Sequence, residues 1–446
     1  MTRDLDVAVI GAGIAGLSLA YRLGQAGRSV RVFEAAAVVG GRMATVRHQG
    51  YAIDAGAEQI PTHGYDATWS LLADLGITRD RVPLIGSGVG VWRDGRAHHG
   101  VADPRGLLTG AGLPAGARLD LFRFQLGTAL RRRRFDPDRP EDTPLGLATV
   151  ADLGRRYHPD LARYLFDPVA TAFFGWDPLR SAAAPFVSLL AAVGPAGGWR
   201  TYRGGMDLLA RRLAERVDVH TGLAVTRVVA EVDGARLATV DGEYTARQVV
   251  LCVPAPVARE LYANPPAAEA AHLDECTFTP MVKVSCLLDR PLAPAAKRPL
   301  YVLLTPGDDL LAGLVVDHAK HPDRAPHGGG LITLLSRPQQ TVRLLDAPDE
   351  EAHVLLAHAE RYVPGIGAAT VTSLVHRHRH ALPEATPRAL AGRAAFARRP
   401  AGPVDYAGDW VQLRPSSEGA VRAAALAADR ILSRRPSHLT TAGAHQ

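Results

Sequence analysis

Val7-Ala-Val-Ile-Gly-Ala-Gly-Ile-Ala-Gly16 is the stretch that decides the fold of this chain. An apolar strand runs into three glycines, and an apolar helix over 14–23 follows. Gly11 permits a tight turn, Gly13 lets the backbone approach a pyrophosphate, and Gly16 lets helix and strand pack closely. Free N–H groups and the positive dipole at the start of the helix attract phosphate. Strand, glycines and helix in this order predict a dinucleotide-binding fold.

A second strand, over 29–33, ends at an acidic residue. Glu34, followed by Ala35, stands at the distance from the glycines where a carboxylate accepts hydrogen bonds from an adenosine ribose. Ile14 and Ala15 open the intervening helix and offer their N–H groups to the phosphates. Together these residues predict the adenosine half of a dinucleotide site.

The next residues indicate which dinucleotide is bound. Gly40-Gly41-Arg42 follows the ribose acid, and Gly56-Ala57 follows soon after. An NAD enzyme does not need a second glycine pair with an arginine at this point. A flavin continues past the pyrophosphate, so a Gly-Gly-Arg turn can pass close to it and present a guanidinium to phosphate. This segment therefore predicts FAD.

A C-terminal segment supports the same cofactor. Gly408 and Asp409 come first, and Glu418-Gly419-Ala420 opens an Ala-rich helix. Asp409 is placed to bond ribityl hydroxyls, and the helix start aims its dipole at flavin N1/O2, where negative charge gathers on reduction. Taken alone, the segment fits a strand, a turn and a capped helix equally well.

Composition agrees with a cofactor enzyme of two packed regions. The chain has 446 residues, 47% of them hydrophobic, and no apolar run reaches transmembrane length. Three cysteines, Cys252, Cys276 and Cys286, form no close metal pair and fit a reducing cytoplasm. None lies near the C-terminal segment in sequence, so we expect a non-covalent flavin and a cytoplasmic enzyme.

The net charge of +6 raises the question of nucleic acid or a membrane face. Arg131–Arg134 is the only dense basic run, and Asp136, Asp138, Glu141 and Asp142 follow it. We expect a solvated helix end with its own counter-charges, and no nucleic-acid partner. The sequence does not decide between a monomer and a homo-oligomer.

In these residues the chain resembles the flavin-containing amine oxidase superfamily, which includes monoamine and polyamine oxidases, protoporphyrinogen oxidases and phytoene- or squalene-type desaturases. The likeness extends over the N-terminal segment, 203–209, Val225, 249–254, Lys283 and 406–425. It implies a Rossmann-like α/β FAD domain with an inserted α+β substrate domain. It also implies that Val225 gives its backbone to the adenine.

The resemblance implies discontinuous domains. We expect the FAD-binding domain over 1–80, 200–256 and 396–434, the substrate domain over 81–199 (helical) and 257–395 (sheet), and a disordered tail over 435–446. The helical part shows apolar spacing at Leu119, Leu121, Leu126 and Leu130.

Lys283 is the candidate catalytic residue. Lysine occurs only at positions 283, 297 and 320, yet one stands on the apolar strand Met281-Val-Lys-Val-Ser285. An ammonium can shift its pKa and hold one water, unlike a guanidinium. By the resemblance, that water would lie beside flavin N5. The alternative is a strand-edge lysine whose ammonium reaches solvent.

Two further groups are weaker candidates. Trp199, Tyr202 and Arg203 would line the pocket over the flavin, or pack between domains. The run 376–380 (His-Arg-His-Arg-His) places three histidines on one face of a strand. No carboxylate or cysteine accompanies it at short spacing, so an inter-domain or solvated strand is favoured and no metal is expected.

One departure from the family pattern concerns the substrate. Monoamine oxidases place a tyrosine where this chain has Ser416, so the aromatic cage for an amine is incomplete. Residues 164–168 and 181–184 look more like the protoporphyrinogen-oxidase branch. Lys283 keeps C–N oxidation slightly ahead of C–C oxidation.

The sequence therefore predicts an FAD-dependent oxidoreductase that takes a hydride from a C–N or C–C bond of a small organic molecule. Dioxygen or another acceptor would reoxidise the flavin. The alternatives are protoporphyrinogen-oxidase- or desaturase-like C–C dehydrogenation, a flavin-dependent isomerase, and a flavin-binding protein without catalysis.

Overall fold

The computed structural model describes residues 4–100, 112–348 and 350–433, so the expected tail over 435–446 lies outside the described residues. Within this part of the chain, no helix is long and apolar enough to cross a membrane.

Two seven-stranded sheets organise the structure. The strands are β1 (Leu5–Ile10), β2 (Val30–Phe33), β3 (Thr45–His48), β4 (Tyr51–Asp54), β5 (Ile60–Pro61), β6 (Gly88–Arg93), β7 (Arg96–His99), β8 (Trp199–Arg200), β9 (Asp218–His220), β10 (Val225–Glu231), β11 (Gly234–Thr239), β12 (Gly242–Leu251), β13 (Phe278–Leu288), β14 (Leu300–Leu304), β15 (Leu311–Val316), β16 (Gly330–Ser336), β17 (Thr370–Pro383) and β18 (Val404–Tyr406).

The helices connect these strands. They are α1 (Ile14–Gln25), α2 (Asp66–Asp74), α3 (Ala115–Leu130), α4 (Val150–Gly154), α5 (Pro159–Leu161), α6 (Asp167–Phe174), α7 (Ala183–Val193), α8 (Leu208–Ala214), α9 (Ala255–Leu261), α10 (Ala267–Glu275), α11 (Asp317–Lys320), α12 (Pro338–Asp346), α13 (Glu351–Ala359), α14 (Ile366–Ala369), α15 (Pro387–Ala397) and α16 (Ser417–Leu432). The N-terminal α1 packs against the C-terminal α16, so the two ends of the chain meet in one unit.

The first sheet contains the glycine-rich segment. Its strand order is β10-β11-β12-β1-β2-β9, and β18 pairs with β12. Strand β1 is parallel to both β12 and β2. Val7, Ala8 and Val9 are all buried, as expected for a parallel strand covered on both faces. The Rossmann-like α/β fold class predicted from the sequence is therefore confirmed.

The second sheet has the order β17-β13-β16-β15-β14-β6-β7. Its pairs are antiparallel except for β14 with β6. Strands β6 and β7 come from the segment that the sequence predicted to be helical. They were missed because a short hairpin ahead of a long helical stretch carries little periodicity.

The second sheet packs through β13 and β17 against the end of β4 and the segment that follows it. On β17, Nε2 of His378 lies 2.9 Å from the carbonyl oxygen of Ala55. On β13, the ammonium of Lys283 reaches the carbonyl oxygens of Asp54 and Gly56. The candidate site lies beside this junction.

Candidate active site

A cavity of about 860 Å³ is lined by strands of the second sheet and by segments that follow β1, β12 and β18 of the first sheet. Lys283 lies on its wall, as do many of the predicted cofactor residues, namely Gly13, Ile14, Ala15, Arg42, Gly56, Ala57, Gly408, Asp409 and Ala420. The predicted residues outside this lining are Gly11, Gly16, Glu34, Ala35, Gly41, Val225, Glu418 and Gly419. The fold therefore brings distant parts of the predicted site to one wall.

The glycine-rich turn has the geometry that its sequence predicts. Gly11 adopts a φ of +102°, which favours glycine. A Cβ on Gly16 would lie 2.0 Å from the carbonyl oxygen of Gly11, so only glycine allows helix and strand to approach this closely. Gly13 precedes α1, and no side chain among the described residues caps its first turn. These uncapped N–H groups on the cavity wall fit a pyrophosphate.

Glu34 lies directly beside this turn. Its carboxylate accepts the N–H of Ala12 at 2.7 Å and that of Ala36 at 2.8 Å, across the intervening Ala35. Each carboxylate oxygen keeps a further lone pair, so a ribose hydroxyl can still bind. Val225 begins β10 and its adenine contact stays a prediction.

Arg42 and Asp409 are paired with each other, although they are 367 positions apart. Two parallel hydrogen bonds of 2.8 and 2.7 Å join the guanidinium to the carboxylate, and the guanidinium also donates to the carbonyl oxygen of Ala381 at 3.0 Å. Such a bidentate pair fixes both side chains. The sequence expected separate contacts to phosphate and ribityl; the structure instead shows one neutral polar unit on the cavity wall.

The turns at 41–42 and 56–57 are built against each other. Gly41 adopts a φ of +52°. A Cβ on Gly56 would lie 2.0 Å from the carbonyl oxygen of Arg42, and the N–H of Ala57 donates to that same oxygen at 2.8 Å. The glycines predicted for cofactor approach therefore also hold Arg42 in place.

At the C-terminal segment, Glu418 has a different role from the one predicted. It is fully buried and accepts the N–H groups of Ala67 and Thr68 at the start of α2, at 3.1 and 2.8 Å. A carboxylate there stabilises the N-terminus of α2. A Cβ on Gly419 would lie 2.1 Å from the carbonyl oxygen of Arg414, so this glycine shapes the turn. Glu418 and Gly419 thus support the wall to which Ala420 belongs.

Lys283 is buried in the middle of the second sheet, with its side chain 1% exposed. It lies on β13 between β17 and β16, so the strand-edge alternative is wrong. Its ammonium donates to the carbonyl oxygens of Asp54 and Gly56 at 2.9 and 2.8 Å and to the carboxylate of Glu58. A lysine has three donors, and all are engaged here. The predicted water-holding role therefore has no free donor in this arrangement.

Lys283 belongs to a larger buried ionic cluster. Lys320 donates to Asp54 at 2.9 Å, to Glu58 at 2.5 Å, and lies 3.0 Å from Asp317. Burial opposes ionisation of Asp54, but Lys320 and Arg324 outweigh it and lower its pKa to about 2. Burial raises the pKa of Glu58, against the attraction of both lysines.

The three carboxylates of this cluster could ligate a metal ion, but lysine side chains already balance their charge, as in an ion-pair network. Oxygen atoms of Asp54, Glu58 and Asp317 lie within 4.8 Å of one another. Lys320 lies among them, and an ammonium there supplies the positive charge that a metal ion would bring. Sequence reasoning missed this cluster. The scarcity of lysine that pointed to Lys283 applies equally to Lys320.

Of the three candidate pocket residues Trp199, Tyr202 and Arg203, the structure places only the first on the described cavity lining. Trp199 lines the cavity, where its ring meets that of Phe173 edge-on at 5.3 Å. Tyr202 is completely buried and its carbonyl oxygen accepts from Arg324, while Arg203 is exposed and its N–H donates to the carbonyl oxygen of Arg81. Tyr202 and Arg203 therefore lie away from the cavity lining, because their turn packs toward Arg324 instead.

The three histidines of 376–380 lie on β17, where the second sheet packs against the segment after β4. His376 lies 3.3 Å from the hydroxyl of Ser285, and His378 bonds the carbonyl oxygen of Ala55. His380 meets the ring of Phe278 edge-on. Burial lowers the pKa of each, that of His376 to about 4. This favours the inter-domain interpretation of the run.

We expect these histidines to make the protein acid-sensitive. His376 has a folded-state pKa near 4, below its ordinary value, so the unfolded chain binds protons more readily. Stability is then lost as the pH falls from about 6.5 to about 4, by about 3 kcal/mol for this residue. In urea unfolding across this range, His376→Gln should flatten the pH dependence. His353→Gln, at an exposed position, should leave it unchanged; equal slopes for all three proteins would contradict the prediction.

Cys252 lies on the wall of the same cavity as Asp409, because β12 and β18 are paired just before both residues. Its distance in sequence from the C-terminal segment was therefore misleading. Burial raises the pKa of the Cys252 thiol well above its usual range, so it stays protonated. A protonated thiol is a poor nucleophile.

The rest of the cavity is strongly apolar. Helices α3, α6 and α7 and the second sheet supply this part of the wall, with Leu121, Phe124, Leu165, Val169, Phe173, Phe174, Leu190, Met281, Val302, Val315 and Leu335. Ser416 also lines the cavity, at the position where the family resemblance places an aromatic residue of the amine cage.

Comparison with known proteins agrees with this geometry. The family described as flavin containing amine oxidoreductase matches residues 14–432. Protoporphyrinogen oxidase 2 of Arabidopsis thaliana is 29% identical over 173 residues, 39% of this chain and 33% of the relative. Phytoene dehydrogenase of Streptomyces griseus is 29% identical over 302 residues, 58% of this chain and 56% of the relative. The matches thus span less than two thirds of either relative.

Solved structures show the same fold. A cyclohexylamine oxidase from Brevibacterium oxydans superposes with a TM-score of 0.76 at 21% identity, covering 97% of this chain and 100% of that one. At this identity the likeness concerns the fold alone. The family match covers the whole second sheet and every strand of the first sheet except β1, and it confirms the predicted resemblance and the predicted class of flavin-dependent oxidoreductase. The protein belongs to the flavin-containing amine oxidoreductase family.

Proposed function

We propose that this protein binds FAD non-covalently and dehydrogenates a carbon–carbon bond of an apolar small molecule. The observation that carries the proposal is the charge balance of the cavity wall. Among the described lining residues the carboxylates are Glu58 and Asp409, and both are ion-paired. Glu58 is paired with Lys283 and Lys320, and Asp409 is paired with Arg42.

On the part of the wall that the structure describes, an amine substrate would find no free counter-charge. Amines are largely protonated at neutral pH, and a buried cation without a partner is costly. Ser416 adds no aromatic face for such a cation. In the sequence, the presence of Lys283 was the reason to favour C–N oxidation. In the structure, the carboxylate of Glu58 neutralises the charge of this lysine. The apolar wall therefore suits a neutral hydrocarbon-rich substrate better than a simple amine.

The residues that would hold FAD are those that the sequence predicted for the cofactor, and they lie on the cavity wall or next to it. The uncapped start of α1 at Gly13 to Ala15 suits the pyrophosphate, and Glu34 suits the ribose. The Arg42–Asp409 unit offers polar atoms to the middle of the cofactor. Bound there, FAD supplies a two-electron acceptor for a hydride. Protonated Cys252 fits a flavin held without a covalent bond.

The chain's own part in the reaction is to orient the substrate and exclude water. The aliphatic and aromatic side chains of α6, α7 and the second sheet do both. The Lys283–Glu58 pair places the only charges on the β13 side of this wall among the described lining residues. We propose that this pair sets the electrostatics next to the reacting C–H bond.

The test is anaerobic bleaching of the flavin in the purified protein. Heat denaturation should release FAD into the supernatant. Polyenes, unsaturated fatty acids and neutral cyclic hydrocarbons should bleach the bound flavin and yield products two hydrogens lighter; primary amines should not. Readmission of air with formation of hydrogen peroxide would identify dioxygen as the acceptor. Bleaching by amines alone would overturn the proposal, and a product of unchanged mass would assign an isomerase.

Lys283→Met tests the role of the charged pair. We expect the rate of anaerobic flavin reduction to fall about 100-fold, a size typical for a removed catalytic group. Lys297→Met, at an exposed lysine, serves as the control. Stopped-flow absorbance measures the rate, and the spectrum before mixing confirms that flavin is bound. An unchanged rate in the flavin-loaded variant would leave Lys283 with a purely structural role.

A further inference from the structure

Helix α3 exposes an apolar stripe to solvent. The side chains are 60%, 53%, 45% and 78% exposed at Leu119, Phe122, Leu126 and Leu130, respectively. Their spacing of three, four and four residues places them on one face of the helix. The sequence pattern predicted a helix with apolar spacing here, and of the residues in that pattern only Leu121 is buried. Exposed apolar side chains gathered on one helix face mark an interaction surface.

An unbalanced basic run follows this stripe directly. All residues of Arg131–Arg134 are exposed. Of the four acidic residues expected to neutralise them, two are engaged elsewhere. Asp138 pairs with Arg414 and Arg422 at 3.1 and 2.9 Å, and Glu141 pairs with Arg393 at 2.9 Å. Two of the expected counter-charges are thus paired with other arginines, and a patch of net positive charge adjoins the apolar stripe.

The same helix forms part of the cavity wall. Leu121, Phe124 and Gln125 line the cavity from the inner side of α3, and Arg132 lines it just beyond the helix end. One element thus presents an apolar and basic surface outward and cavity-lining residues inward. Whatever docks on this surface lies next to the substrate cavity.

We propose that α3 and Arg131–Arg134 dock this protein on the surface of an anionic lipid bilayer. Leucine and phenylalanine side chains insert among the acyl chains, while adjacent arginines contact anionic headgroups. The basic charge is complementary to such a surface. Docking there would place the cavity next to apolar molecules dissolved in the bilayer. The binding itself does not depend on the proposed reaction.

The charge pattern argues against the other occupants. A symmetric dimer formed through this face would bring two arginine runs to one interface, which adds like charge without supplying the anions that the runs would attract. Nucleic acid would contact the arginines but leave the apolar stripe in water. A bilayer with anionic headgroups satisfies both parts of the surface together.

The test is vesicle flotation of the flavin-loaded protein. We expect binding to vesicles of phosphatidylcholine with phosphatidylglycerol, little binding to phosphatidylcholine alone, and weaker binding as salt screens the arginines. Arg133→Gln with Arg134→Gln should lower the partition coefficient about fivefold for each arginine removed. Phe122→Gln with Leu130→Gln should lower it about tenfold or more.

Matched controls change the same residue types elsewhere. Arg247→Gln with Arg298→Gln and Val232→Gln with Val240→Gln alter exposed positions outside α3 and should float like the unaltered protein. A protein that fails to bind anionic vesicles, or a stripe variant that binds as well as the unaltered protein, would overturn the proposal. The proposal would also be overturned if the protein bound duplex DNA but not vesicles, or if it formed a dimer through the apolar stripe and did not bind vesicles. Flavin content and substrate bleaching report on the proposed reaction separately.

Discussion

Lys320→Met is expected to destabilise the fold by about 3–5 kcal/mol. The ammonium of Lys320 is completely buried and ion-paired to Asp54, Glu58 and Asp317. Methionine keeps the volume of the side chain but removes the charge. Among the described residues, the variant would leave the buried carboxylates with Lys283 and Arg324 as their cationic partners. Uncompensated buried charge is among the largest penalties that a substitution can cause.

Urea unfolding at several pH values measures this effect. The loss of stability should shrink as the pH falls, because protonation of a carboxylate removes the uncompensated charge. Lys297→Met, at an exposed lysine, should change stability by less than about 0.5 kcal/mol. A loss in Lys320→Met that is small, or that does not change with pH, would show that the cluster contributes little electrostatic stabilisation.

Gly16→Ala is expected to lower stability by about 3 kcal/mol or more and to reduce flavin retention. The added Cβ would lie 2.0 Å from the carbonyl oxygen of Gly11 and 3.1 Å from Val9. Backbone lies on the opposing side, so α1 must move away from β1, and overpacking of this kind is costly. The start of α1 would then shift from the position where its N–H groups face the cavity.

Gly24→Ala in the same helix is the matched control. A Cβ at Gly24 meets nothing within 4 Å, so alanine should be neutral or stabilising by up to about 1 kcal/mol. Flavin absorbance after gel filtration and thermal unfolding report the two effects. Equal behaviour of the two variants would contradict the close-packing role of Gly16.

The apolar cavity and the paired carboxylates together shape the proposed chemistry. Because Glu58 and Asp409 are both neutralised, the wall selects by shape and hydrophobicity more than by charge. This separates the fold, which is shared with amine oxidases, from the substrate, which depends on side chains at the wall. The bleaching experiment tests the proposed substrate class, and the vesicle experiment tests the proposed docking surface independently of it.

The sequence by itself determined the cofactor-binding framework. The turn at Gly11, the packing at Gly16 and the acid at Glu34 obey requirements set by neighbouring residues: a positive φ, a strand–helix approach, and a fixed number of residues to the next strand end. Such local requirements can be recognised in a linear motif. The strand 5–10 was therefore predicted with its observed bounds, and the family was recognised from this motif together with the segments at 203–209, 249–254 and 406–425.

Only the tertiary structure decided what the other predicted residues contact. Arg42 pairs with a residue 367 positions away, and Lys283 reaches Glu58 across 225 positions, so no local spacing reveals either partner. The helical pattern around Leu121 was visible, but periodicity identifies an apolar face without saying whether protein or solvent meets it. Partners distant in sequence become neighbours only when the sheets pack, and that packing fixed the charge of the cavity and the exposure of α3.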